Sequence, residues 1–321
     1  MTANTISVVL PVYNDEETAE AAIKAVLNQD YQDIELVISE DGCTDDTHGI
    51  VATYAQVDER IKCVSSSHNL GVSHARNAAL DVCEGAYVAF VDADDLPAPN
   101  WLSTLKGTIG SADMAACGYD VVDLSGNRLR GTSDRQDALG EGMCSEDAPQ
   151  FIEDLFSNRL MYQGYVWNKL FRRDLLMEGD PLKFKLGIAY NEDRLFVFEY
   201  LRRCEEVAVT MLPVYEYHAH PAVAQYNDAQ ATELVAFDFM IAALEGERGL
   251  DNTRALFYAE KDYFRAVVEL YCKASDSCNP DAEWLRQEAV RLASYADAFS
   301  DYPLDFHVKI KRAISGAPNC N

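Results

Sequence analysis

The segment Phe90-Val-Asp-Ala-Asp-Asp95 sets three carboxylates within four positions at the end of a short apolar run. Oxygen ligands of this kind suit a hard cation, and Mg2+ or Mn2+ is commonly held by one or two carboxylates together with substrate phosphates. Asp92 and Asp94 have the spacing for that task. The plainer alternative is an Asx-type turn in which Asp94 and Asp95 cap a helix beginning near Pro99. Asp41, in Glu40-Asp-Gly42, is open to two readings as well: it accepts a hydrogen bond from a nucleoside base or ribose, or it caps the helix after Gly42. Neither G-x-G-x-x-G nor G-x-x-x-x-G-K-[ST] follows the first apolar run, which disfavours a dinucleotide oxidoreductase and a P-loop NTPase.

These residues need elements to position them. Ile6 to Val12 is short, apolar and β-branched, a strand whose end Pro11 marks, and Glu16 to Asn28 follows with apolar residues at helical spacing and carboxylates in its first turn. Glu35–Ser39, Ile61–Ser65 and Tyr87–Val91 read as further strands. Helices from Thr44 to about Val57 and from Gly71 to Val82 separate them. This alternation predicts an α/β fold with a mostly parallel central sheet flanked by helices. Ligands of such sheets bind beyond the carboxyl ends of the strands, where strand order reverses. The residues there are Tyr13 to Glu16, Glu40 and Asp41, His68 and Asn69, and Asp92 to Asp95. Carboxylates so crowded need a cation or protonation to relieve them.

The chain has 321 residues, room for one large domain or two ordinary ones, and its formal charge is −26. With 48% hydrophobic and 10% aromatic residues it is globular rather than a disordered acidic chain. The charge argues against nucleic acid as a partner, since phosphate-backbone affinity comes from clustered Lys and Arg. It also means that any phosphate-handling site requires a metal or a local basic group. Nine scattered cysteines with no C-x-x-C predict reduced thiols and no zinc cluster. The start of the chain has no basic stretch leading into an apolar one, and no run of 18 apolar residues occurs, so a cytoplasmic protein is expected.

Four segments together carry a resemblance: Leu10-Pro-Val-Tyr-Asn14, Glu40-Asp-Gly-Cys-Thr-Asp45, Gly71-Val-Ser-His-Ala-Arg-Asn77 and Phe90-Val-Asp-Ala-Asp-Asp95. In this order they resemble the signatures of family 2 glycosyltransferases, which have the GT-A fold. The similarity continues through Trp167-Asn-Lys-Leu-Phe-Arg-Arg-Asp-Leu175 and Asn191-Glu-Asp-Arg-Leu-Phe196 and fades after about residue 220. It implies an inverting, metal-dependent transferase that moves a sugar from a UDP-sugar to a glycan or lipid-linked acceptor in bacterial polysaccharide assembly. Pro11, Tyr13 and Glu16 would then border the nucleotide, Asp41 would contact the uracil, and Arg76 would lie near the base or the diphosphate. Asp92 would sit near the ribose and Asp94 on a Mn2+ or Mg2+ ion, with His218 or His220 completing the metal site. Asp193 would be the general base, ahead of Glu192. Cys43 and Glu40 stand where the family more often has Ser and Asp.

On this reading residues 1–222 form the transferase domain, with a nucleotide-sugar half to about residue 110 and an acceptor half from 111. Residues 223–321 form a helical region. Asp113–Tyr119 and Val207–Leu212 read as strands, Gly164–Asn168 as a strand-like run, and the acidic stretch 132–148 as a solvated loop. Trp167 is either a platform for a sugar ring or an ordinary buried Trp. Lys169, Arg172 and Arg173 are read as partners of the many carboxylates ahead of phosphate contacts. Tyr258, Phe264, Val267, Val268 and Tyr271 suggest a buried face or an oligomer surface, and the basic tail His307–Ile314 a short surface helix or a peripheral membrane contact. Two rivals were weighed. A sugar-1-phosphate nucleotidyltransferase needs a Gly-rich basic loop that Leu10–Glu17 does not supply, and a binding scaffold without turnover would keep the fold alone.

Overall fold

Ile6–Val12 (β1) is buried along its whole length, as an unbroken β-branched run requires of a strand covered on both faces. It is the centre of the fold in a computed structural model that describes residues 3–123, 125–135, 143–157, 164–220, 225–246, 253–293, 302 and 304–316. Ile34–Asp41 (β2) pairs parallel with β1, Ile61–Ser66 (β3) parallel with β2, and Tyr87–Phe90 (β4) parallel with the other edge of β1. The helices Ala19–Leu27 (α1), Thr47–Ala55 (α2) and Val72–Val82 (α3) connect these strands. Strand order therefore reverses between β1 and β4, and the ligand-binding crevice of a doubly wound sheet opens at that point.

Beyond β4 come Leu96–Pro97 (β5), helix Trp101–Ile109 (α4), Met114–Val122 (β6), Arg128–Gly131 (β7) and Met143–Asp147 (β8), then Lys169–Arg172 (β9) and Glu206–His218 (β10). Among the described residues the strands form one sheet in the order β3-β2-β1-β4-β9-β6-β10-β5, with β7 on β6 and β8 on β10. The α/β class and the parallel core are as expected, and the second half of the chain continues the sheet in mixed directions. β9 lies antiparallel between β4 and β6.

Two readings shift. The strand near Gly164–Asn168 begins at Lys169 instead, because the chain first turns, with Lys169 N–H donating to the Val166 carbonyl at 3.2 Å. Within the acidic stretch, Met143–Asp147 is an edge strand on β10 rather than loop: its polar composition resembles a linker, but β10 satisfies one edge of its backbone. Residues 136–142 of that stretch lie outside the described ones.

The chain divides into two units, Met1–Leu186 with Asp193–His220, and Gly187–Glu192 with Pro221–Asn321. The first also holds helices Ala148–Ser157 (α5) and Arg173–Met177 (α6) and most of Glu192–Leu201 (α7). The second contains Asp228–Gly246 (α8), Thr253–Asp276 (α9), Asp281–Leu292 (α10) and Leu304–Ser315 (α11). There Phe264, Val267, Val268 and Tyr271 are buried as expected, whereas Tyr258 is only partly so. Among the described residues no helix is long and apolar enough to cross a membrane, and the cysteines are free.

Packing ties the two halves of the first unit together. Phe90 of β4 meets Phe171, Phe184 and Phe196 edge-on at 5.8, 5.5 and 5.8 Å, and Phe184 stacks on Phe196 at 4.1 Å. Phe90→Ala empties the middle of this cluster and should cost about 3–5 kcal/mol, read as a lowered urea midpoint. A midpoint unchanged from the wild type would show that the cluster does not carry the fold.

Candidate active site

The loops that leave β1 and β2 are clasped to one another by side chains. Thr44 N–H donates to Asn14 Oδ1 at 2.8 Å, Asp46 N–H to Glu16 Oε2 at 2.9 Å, Glu16 N–H to Asp45 Oδ2 at 3.1 Å, and Asp15 N–H to Thr47 Oγ1 at 2.8 Å. Asn14 takes φ 55°, a left-handed conformation that Asn tolerates better than most residues. Asp41, at the end of β2, accepts from Ser66 Oγ at 2.9 Å, Leu70 N–H at 2.9 Å and Gly71 N–H at 2.7 Å. It thereby holds the loop leading into α3. Gly42 permits that close approach, since a Cβ there would lie 2.4 Å from the His68 carbonyl carbon.

These loops wall a hollow of about 280 Å3 lined by Pro11, Tyr13, Asp15, Asp41, Asp92 and Asp94, among others. Five of the site residues expected from sequence thus meet in one cavity. Glu16 does not line it; its carboxylate is taken up with the α2 entrance. Asp15, expected at the ligand-binding edge but given no role there, does line it. Burial pushes its carboxyl up, and the charges of Asp94, Asp45 and Asp92 push the same way.

Asp92 to Asp95 form a turn, with Asp95 N–H donating to the Asp92 carbonyl at 3.2 Å, but not a helix cap, since α4 begins only at Trp101. Each carboxylate has its own partners. Asp92 Oδ1 receives Arg76 Nη2 at 2.9 Å. Asp94 Oδ2 lies 2.5 Å from His220 Nε2. Asp95 is fully buried and accepts from the Tyr215 hydroxyl and His218 N–H, each at 2.9 Å, which fastens the turn to β10. Burial, then the neighbouring Asp92 and Asp94, hold the Asp95 carboxyl well above the usual carboxylate range.

A second hollow of about 240 Å3 is lined by Glu17, Thr18, Asp94, His218 and His220, so Asp94 stands on the partition between the two. The buried His218 Nδ1 has no hydrogen-bond partner. A carboxylate and an imidazole in contact, with a second imidazole nitrogen left over nearby, are a donor set that suits Mg2+ or Mn2+. Among the described residues no three such side chains converge to cage a cation by themselves, so substrate oxygens would have to complete its shell. The geometry favours Asp94 with His220 as ligands, since Asp92 is engaged by Arg76.

Asp193 opens α7, and its Oδ1 accepts the Arg194 N–H at 2.7 Å. Burial raises its pKa, Arg76 and Arg194 act against the rise, and Asp92 adds to it. Arg76 is therefore a buried cation that serves two acids; it also lies over the Phe184 ring at 5.2 Å. Sequence places it near the base or the diphosphate but does not reveal the pairing with Asp92.

Trp167 is only 2% exposed, buried within a stack of tyrosines, so its own ring offers no platform. Lys169 was expected to pair with carboxylates, and the charge of Asp193 does act on it. It is fully buried and donates to the Tyr165 carbonyl at 2.6 Å and Asn168 Oδ1 at 2.9 Å, and burial pulls its pKa down to about 7. Arg172 caps the carbonyls of Ala112 and Gly110 at 2.7 and 3.0 Å. Residue type alone could not separate these uses of a cation from ligand binding.

Residues 7–179 match the sequence profile described as Glycosyl transferase family 2. The chain is 29% identical over 222 residues to the uncharacterized glycosyltransferase EpsJ of Bacillus subtilis, covering 67% of this chain and 61% of EpsJ. Over 99 residues it is 36% identical to the UDP-Glc:alpha-D-GlcNAc-diphosphoundecaprenol beta-1,3-glucosyltransferase WfaP of Escherichia coli, 31% of this chain and 37% of the relative. The chain thus spans about three-fifths or less of these curated relatives. Its fold is similar to that of S. aureus TarS 1-349 in complex with UDP, with TM-score 0.63, 19% identity and coverage of 88% of this chain and 87% of that one.

Asp15, Asp95 and Asp193 have raised pKa values and so bind protons more tightly folded than unfolded. Their contribution to stability is present below the ordinary aspartate range and is lost as pH rises through the raised values. A divalent cation held at Asp94 would offset that loss. Mn2+ should raise the melting temperature more at about pH 7.5 than at about pH 5, and Asp94→Asn should remove most of the gain. Equal shifts at both pH values would contradict a cation site on this rim.

Proposed function

The chain belongs to glycosyl transferase family 2, and on that premise we propose that it moves a hexosyl or N-acetylhexosaminyl group from a UDP-sugar to a hydroxyl of a glycan or lipid-linked acceptor, inverting the anomeric centre. The observation that carries this reading is the meeting of Asp15, Asp41, Asp92 and Asp94 in one hollow, with Arg76 bonded to Asp92 and acting on Asp193 from the same unit. The UDP held by TarS and the lipid-linked acceptor in the name of WfaP point the same way.

Pro11, Tyr13 and the loop that Asp41 secures would receive the nucleoside, and Asp92, fixed by Arg76, would accept from a ribose hydroxyl. Asp94 and His220 would hold Mg2+ or Mn2+. That ion supplies positive charge to the diphosphate, whose outgoing oxygen gains negative charge as the glycosidic bond breaks. Asp193 would take the proton from the acceptor hydroxyl as its oxygen attacks from the face opposite UDP. Burial raises the pKa of this carboxyl, the direction that strengthens a base, and Arg76 and Arg194 act against that rise.

UDP release from a panel of UDP-sugars with Mn2+ and mixed glycan acceptors tests the reading, and the anomeric configuration of the product tests inversion. Asp193→Asn should retain UDP binding by calorimetry and lose about 10^2–10^4-fold in transfer. Full transfer by that variant would remove Asp193 as the base. Arg76→Gln should move the acidic limb of the rate profile to higher pH, because without its cation Asp193 ionises later. An unmoved limb would separate Arg76 from the base.

A further inference from the structure

The stack around Trp167 ends in two partly open rings. Trp167 lies parallel to Tyr165 at 4.8 Å, Tyr215 at 4.5 Å and Tyr217 at 5.4 Å, and Tyr165 and Tyr217 are themselves near parallel at 6.1 Å. Trp167 and Tyr215 are sealed in the core, whereas Tyr165 and Tyr217 are half-buried. Gly164 brings this pair against α7: a Cβ on it would lie 2.2 Å from Arg194 Cβ, so the segment bearing Tyr165 runs directly along the turn that carries Asp193. The Tyr165 phenol feels the Asp193 charge, and that of Tyr217 feels Asp95, Asp92 and Asp94. Tyr165 thus lies on the segment beside the Asp193 turn, and Tyr217 directly precedes His218, whose N–H bonds Asp95. Flat rings with polar edges are what a pyranose recognises, through its C–H face and its hydroxyls.

A cation stands on the same side of the sheet. Arg130 of β7 pairs with Val121 of β6, and paired residues project to one face, which Tyr119 shares two positions earlier. Tyr119 packs edge-on against Tyr165 at 6.0 Å and Trp167 at 4.9 Å, and Tyr119, Val121, Tyr165, Trp167 and Tyr217 belong to one hydrophobic cluster. Nearby Arg128 is tied to Asp120 at 3.0 Å and Asp134 at 2.9 Å. Arg130 is exposed, and among the described residues no ion pair holds it. In a chain of net charge −26 such a cation beside a sugar platform has a selective use, because nearly every other surface repels an anion.

We propose that Tyr165 and Tyr217 form the acceptor-sugar platform and that Arg130 selects acceptors bearing a negative group beside the attacked sugar, a uronate carboxylate or a phosphate. This rests on the transferase reading and extends it to acceptor class. The test offers the full chain, with Mn2+ and an equimolar mixture of UDP-glucose, UDP-galactose and their N-acetylhexosamine counterparts, three acceptors. These are 4-nitrophenyl glucoside, 4-nitrophenyl glucuronide and glucose 1-(octyl diphosphate). At least one anionic acceptor should exceed the neutral one in kcat/KM by about tenfold, and which one it is distinguishes carboxylate from phosphate. Arg130→Gln should collapse that ratio while Arg130→Lys keeps part of it, and Tyr217→Ala should raise KM for all three acceptors more than it lowers kcat. A ratio equal in Arg130→Gln and wild type, or preference for the neutral acceptor, overturns the proposal while leaving the transferase reading intact. Failure of the wild type to bind or consume any UDP-sugar overturns both.

Discussion

Like charges gathered at the carboxyl edge of one sheet are the constraint to which the rest of this molecule answers. Asp15, Asp95 and Asp193 each feel the charge of Asp92, and burial raises the energy of their ionised forms. The structure resolves the crowding by giving each acid a different partner. Asp95 is sealed in by a tyrosine hydroxyl and a backbone amide, Asp92 is bonded to Arg76, and Asp94 meets an imidazole. Asp193 is half-buried and only partly compensated by Arg76 and Arg194, so its carboxyl holds a proton more tightly than an ordinary aspartate. Acids of one residue type become chemically distinct through their surroundings.

Those surroundings come from distant parts of the chain. Tyr215, His218 and His220 arrive at the end of β10, Arg76 from α3 and Phe184 from the segment after α6. β10 in particular fastens the aspartate turn through Tyr215 while the same ring stacks on Trp167, so one residue joins that turn to the aromatic column. Displacing either would be felt by the other, because packed interiors transmit small shifts rather than absorbing them.

Much of this was legible in order along the chain. Short apolar runs ended by Pro11, Gly42 and Asp92 marked β1, β2 and β4, because a strand buried on both faces leaves little room for polar residues. The aspartates at their ends followed from that placement. Partnership was not legible. Asp41 binds amides about thirty positions away, and Arg76 meets Asp92 across the sheet edge, pairings that no local spacing encodes. Of the two readings open for Trp167 the buried one holds, because ring size signals contact area but not which end of a stack faces outward. Lys169 was read as a partner of carboxylates, and its residue type gave no sign that it is buried where its amine satisfies a turn. Met143–Asp147 shows the converse, a polar segment that is strand because β10 offers it an edge.

The placement of β9 between β4 and β6 bears on how the protein is made. During vectorial synthesis the first four strands leave the ribosome well before Lys169–Arg172, so the far edge of β4 has its backbone donors and acceptors unmet until that late segment emerges. An open edge beside an apolar strand is a template for association with other nascent chains. Phe90 likewise waits for Phe171, Phe184 and Phe196 before its face is covered. The parallel β1–β4 half of the sheet is thus made first and completed last, and a chaperone that shields β4 would act during the interval the topology creates.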